Sequence, residues 1–106
     1  IANSLLHHLH DPSVLWNTVR HCARPGAPVL VMDLFRPHSA AVVDELVETY
    51  AGNEPGVLQK DFRASLHAAF RPLEVLAQLD AAGLHGWTVE NVSDRHLIAC
   101  GRVPVA

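Results

Sequence analysis

Apolar positions along the chain switch between two spacings, and each switch marks an element. Asp11-Pro12 opens the first helix, because aspartate accepts the free N–H groups of a first turn and proline suits the first helical position, where no donor is needed. Leu15, Val19, Cys22 and Ala23 then recur at helical spacing until the turn residues at 24–28 stop the pattern. The run from Ala27 to Phe35 is short, apolar and bounded by turn signals, which predicts a strand buried on both faces, as in a parallel sheet covered by helices. Ser39 caps a second helix with a stripe of Val43, Leu46, Val47 and Tyr50, and Asp44, Glu45 and Glu48 on its wet side. A third helical pattern places Leu58, Phe62, Leu66, Ala69 and Phe70 on one side, and a fourth runs from Pro72 to Ala82 with Gly83 as its C-cap. Two strand-like runs, 86–92 and 96–103, are joined by Ser93-Asp94-Arg95, short enough to make an antiparallel hairpin.

The predicted order is a strand end at 1–5, a helix, a strand, three helices and a hairpin. No repeat, low-complexity tract or linker interrupts it. A doubly covered parallel strand at 27–35 needs neighbours on both sides, and the hairpin and the opening stub supply few. The missing neighbours are expected upstream of Ile1, which makes the chain the later half of a larger domain.

Composition narrows the function classes. The chain has 106 residues, 49% of them hydrophobic, enough for one domain with a small core. With a formal charge of −3 and its eight Lys and Arg scattered singly, it has no basic stripe to neutralise phosphates, so nucleic acid is not an expected direct partner. Pro28 and Asp33 interrupt the longest apolar run, which falls well short of the ~20 residues a membrane span requires. Cys22 and Cys100 stand apart in apolar surroundings and read as small buried hydrophobes of a reducing compartment, so a cytoplasmic location is expected.

Two stretches carry candidate chemistry. In NSLLHHLHDP, residues 3–12, His7, His10 and Asp11 would share one face if helical, and imidazole and carboxylate are competent zinc ligands, as in a metal-dependent hydrolase. Pro12 biases Asp11 away from helical angles and no second ligand cluster exists, so 7–11 is expected to be a turn without metal. In MDLFRP, Asp33 lies near the end of the buried strand and Arg36 just beyond it. A carboxylate there could orient or deprotonate a substrate hydroxyl or amine, or it could cap the loop and pair with the arginine.

Taken with the order of elements, NSLLHHLHDP, RPGAPVLVMDLFRP and the closing AGL…WTVENVSDRHLIACGR resemble the C-terminal half of a class I S-adenosylmethionine-dependent methyltransferase. The resemblance spans nearly the whole chain. It implies a fold: the later half of a doubly wound, Rossmann-like α/β sheet whose parallel strands end in an antiparallel hairpin, with residues 39–70 as a helical insertion that covers substrate. It also implies a function, methyl transfer from S-adenosyl-L-methionine to a small-molecule acceptor. On this reading the backbone at Asn3 and Ser4, with His8, faces the cofactor, while His7, Asp33 and Arg36 are substrate-side candidates at the ligand-bearing end of the strands. The family's glycine-rich loop and its acidic ribose-binding residue have no counterpart in these 106 residues, so the chain alone is expected to be inactive and to require the other half of its domain. The alternatives are a non-catalytic α/β module that uses the 39–70 helices to bind a protein or to form a homodimer, and the metal-dependent hydrolase.

Overall fold

A computed structural model describes residues 2–3 and 11–104. Its elements are β1 (Ala2–Asn3), α1 (Ser13–Cys22), β2 (Pro28–Leu34), α2 (Ala40–Ala51), α3 (Gly56–Ala68), α4 (Pro72–Ala81), β3 (Thr88–Asn91) and β4 (His96–Arg102). Local chemistry sets most of the boundaries. Asp11 Oδ1 accepts the Ser13 hydroxyl at 2.7 Å and the Ser13 N–H at 3.0 Å, while Pro12 is already helical at φ −63°, ψ −19°. Those two bonds favour the charged form and hold the Asp11 carboxyl below its ordinary pKa. Ser39 Oγ accepts the Val42 N–H at the start of α2. At the end of α4, Gly83 has φ +77°, its N–H bonds Asp80 O, and the Leu84 N–H reaches back to Leu79 O at 2.9 Å. This double closure satisfies carbonyls that would otherwise end the helix unpaired, and it calls for a residue without Cβ at position 83.

Three helices depart from their predicted stripes; in α2 it is Tyr50 that leaves the stripe, exposed and not in the core. In α1 the core positions are Leu15 and Trp16, with Trp16 fully buried, Val19 half-buried and Cys22 exposed. The Trp16 indole packs edge-to-face on Trp87, with centroids 6.0 Å apart, and its Nε1 donates to Gln78 Oε1. Docking so large a side chain turns the helix so that Val19 packs only at the cluster's margin and Cys22 is left exposed, not a buried hydrophobe; Cys100 is half-buried, and both thiols are free. In α3, Leu58 is exposed and the helix stops at Ala68, so Phe70 lies beyond it. Ala69 is already extended at φ −67°, ψ 159°, and Arg71, restricted by the proline that follows it, is extended at φ −82°, ψ 154°, so the helix does not resume before α4.

The sheet runs β1-β2-β4-β3 and corrects the expected fold. Its extended strands are antiparallel: all seven residues of β2 pair with β4, from Pro28 opposite Arg102 to Leu34 opposite His96, and β3 pairs antiparallel with β4. Within the sheet, parallel pairing is confined to the two residues of β1 among the described residues, against Val31 and Met32. The chain is therefore a small mixed α/β fold on a mainly antiparallel sheet, and not the half of a doubly wound, Rossmann-like parallel sheet. The reason lies in the turn at 93–95. It sends β4 back along β3, and β4's free edge then takes β2 as its partner. Nor is β2 buried on both faces. Val31 and Asp33 are buried, as are Leu97 and Ala99 across from them, whereas Leu30, Met32, Ile98 and Cys100 on the other face are only half-buried.

The apolar interior divides in two. The larger cluster joins Leu15 and Trp16 of α1, Val75 and Leu79 of α4, Trp87, and Val31, Leu97 and Ala99 of the sheet. The smaller holds Val43, Leu46 and Val47 of α2 against Leu66 of α3, with Leu34 and Phe62 at its margin. An Arg63–Asp44 ion pair crosses between α2 and α3. Tyr50 ties α2 to the hairpin turn, its hydroxyl donating to Asp94 Oδ2 at 2.6 Å and its ring lying 3.7 Å from the Arg95 guanidinium carbon. Among the described residues no helix is long and apolar enough to cross a membrane.

Candidate functional site

The tripeptide Phe-Arg-Pro occurs twice, at 35–37 and at 70–72, and the fold lays the two copies side by side. Phe35 and Phe70 form an isolated parallel bridge, and the Arg36 N–H donates to Phe70 O at 3.2 Å. Each arginine precedes a proline and is thereby biased toward extended angles, which lets two chain segments bridge just ahead of α2 and α4. Phe35 is also tied to the hairpin through its N–H to Arg95 O. The Phe-Phe contact thus sits where β2, the hairpin turn and the start of α4 converge.

Beside this contact lies an open pocket of about 600 Å³, lined by Phe35, Arg36, His38, Arg71, Leu73 and Glu74, with Asn91 at the end of β3 also on its wall. Arg36 Nη2 pairs with Glu74 Oε1 at 2.8 Å. The same Glu74 oxygen accepts the Arg71 N–H at 2.8 Å, so one carboxylate both caps α4 and holds Arg36. Arg36 Nε is buried and has no hydrogen-bond partner among the described residues. Leu73 projects into solvent, 79% exposed.

Of the residues expected from the sequence, Arg36 is in the pocket. Asp33 is not: it is 1% exposed on the core-facing side of β2, and its Oδ1 accepts the Leu34 N–H at 2.7 Å. Arg36 pairs with Glu74 and not with Asp33, so the structure does not join the two into one constellation. Asn3 contributes backbone pairing to Met32 in β1. Ser4, His7, His8 and His10 lie outside the described residues. Asp11 is engaged in capping α1, and among the described residues no group of three His, Cys, Asp or Glu side chains is placed to hold a metal. His38, Arg71 and Glu74 were not foreseen. The repeated Phe-Arg-Pro was the available signal, but only the folded chain shows that the copies touch.

His96 closes the same end of the sheet, opposite Leu34, with Ser93 Oγ 3.1 Å from its Nδ1. Burial lowers its pKa below the ordinary value, the Arg95 charge lowers it further, and Asp94 and Asp33 oppose the shift. A histidine whose folded pKa is depressed stays neutral in the native state while the unfolded chain takes up a proton. Its contribution to stability is therefore complete above about pH 6.5 and is lost as the pH falls from there through the folded value. Denaturant midpoints measured from pH 7.5 to 5 should fall, and His96→Gln should flatten the decline. A slope unchanged by that substitution would assign the decline to other groups.

No protein-family profile matches the chain, and no curated protein matches it in sequence.

Proposed function

We propose that the chain is the acceptor-side part of an S-adenosyl-L-methionine-dependent methyltransferase that acts on a small molecule. The observation that carries this reading is the pocket beyond the carboxyl end of β2, which holds Arg36 from the motif through which the chain resembles that family. The reading rests on the motifs and the pocket and does not depend on a parallel sheet. Methyl transfer is an in-line displacement driven mainly by proximity and alignment, so a site that only grips and orients the acceptor suffices, without a dedicated base. Arg36, held at the pocket by Glu74, supplies that grip, with Phe35 as an apolar wall. Asn3, Ser4 and His8 are the proposed cofactor-side residues and His7 a substrate-side one. Asp33, buried under the strand end, is proposed as a positioning residue. The exposed free thiol of Cys22 suits the reducing cytoplasm, which we propose as the compartment.

Joined to the other half of its domain, the chain should bind S-adenosylhomocysteine with micromolar affinity by calorimetry, whereas these 106 residues alone should not. Arg36→Ala should leave that affinity within about twofold while raising the acceptor's KM tenfold or more, since it removes a contact to the acceptor alone. Absence of cofactor binding would sink the reading.

A further inference from the structure

We infer that the pocket between the two Phe-Arg-Pro segments binds the carboxylate of a small molecule with a flat apolar body, and that Glu74 holds Arg36 until the ligand's carboxylate takes the guanidinium from it. The inference rests on the proposed acceptor site and names the class of acceptor it takes.

Charge comes first. Two arginines line the pocket with a single carboxylate, and the Arg71 guanidinium makes no ion pair among the described residues. Arg36 is only partly satisfied: a single Glu74 oxygen takes Nη2, while Nε is buried without an acceptor. A guanidinium presents parallel N–H groups that match both oxygens of a carboxylate, so a bidentate ligand would use the donor that Glu74 leaves idle. Exchange is physically easy. The Arg36 and Glu74 side chains are 34% and 43% exposed, and an ion pair so wet contributes little. Glu74 also does not depend on Arg36, because its oxygen keeps the Arg71 N–H of the helix cap. The apolar half of the ligand is matched by Phe35 and by Leu73, whose exposed side chain has nothing else to cover it among the described residues.

Benzoate and its neutral isostere benzamide test this directly. In a titration followed by amide resonances of 15N-labelled protein, benzoate should shift Arg36, His38, Arg71 and Leu73 saturably, and benzamide should bind at least tenfold more weakly. Arg36→Gln should weaken benzoate tenfold or more. Glu74→Gln should tighten it several-fold, because the substitution removes the competing carboxylate while its amide oxygen can still cap α4; a merely structural Glu74 would not give that gain. Equal affinity for the two probes, no shift at these four residues, or benzoate binding unchanged or weakened by Glu74→Gln would each overturn the inference. None of these measurements involves S-adenosylmethionine. Carboxylate binding without cofactor binding would therefore retire the methyltransferase reading and keep the site, and the reverse result would do the opposite.

Discussion

Replacing Trp16 with alanine should cost about 3–5 kcal/mol, the range for removing a large buried aromatic from a core. Such a loss is a large fraction of the ~5–15 kcal/mol that holds a domain of this size together. Three contributions are removed at once: the burial of an indole with no exposed surface, the edge-to-face contact with Trp87, and the Nε1 bond to Gln78. The last leaves Gln78 Oε1 without its donor. Trp16→Phe should recover more than half of the loss, since it restores a ring but not the hydrogen bond. Urea midpoints at neutral pH provide the check. A loss under about 1 kcal/mol for the alanine variant would mean that α1 does not dock as described.

Gly101→Ala should cost about 2–3 kcal/mol, toward the upper end of what overpacking costs. A Cβ on residue 101 would stand 2.5 Å from Trp87 Cδ1 and 2.6 Å from Cδ2. The ring cannot easily retreat, since its Nε1 donates to Arg102 O on one side and Trp16 packs against it on the other. Because both substitutions act through Trp87, the Gly101→Ala and Trp16→Ala double variant should lose less than the sum of the singles. Full additivity would show that the two sites do not share the ring.

What the sequence discloses about this chain follows the reach of each interaction. Asp11, Ser39 and Gly83 act on backbone groups within a few residues of themselves, and their caps lie where the sequence places them. Trp16 and Trp87 meet across most of the chain, and nothing in the spacing of Val19 and Cys22 reveals that an indole will decide how α1 is turned. The sheet misleads for a similar reason. The apolar run of β2 reads as doubly covered, but its pairing is set by a hairpin whose free edge happens to face it, so a pattern suited to a parallel core serves a mainly antiparallel one. The site divides the same way. Arg36 is legible as a charge just past a strand end, while its partner Glu74 belongs to a helix cap and becomes a site residue only through the Phe35–Phe70 bridge.

That bridge has a topological consequence. The chain leaves the sheet at Arg36, builds α2 and α3 with an apolar cluster largely their own, and comes back to within one hydrogen bond of its departure point at Phe70. Residues 36–69 are thus a detour whose two ends are already joined, and lengthening, shortening or exchanging it asks little new closure entropy of the rest. Evolution or an engineer can rewrite the roof beside the pocket while leaving the floor, with its tryptophan pair and seven-residue ladder, untouched.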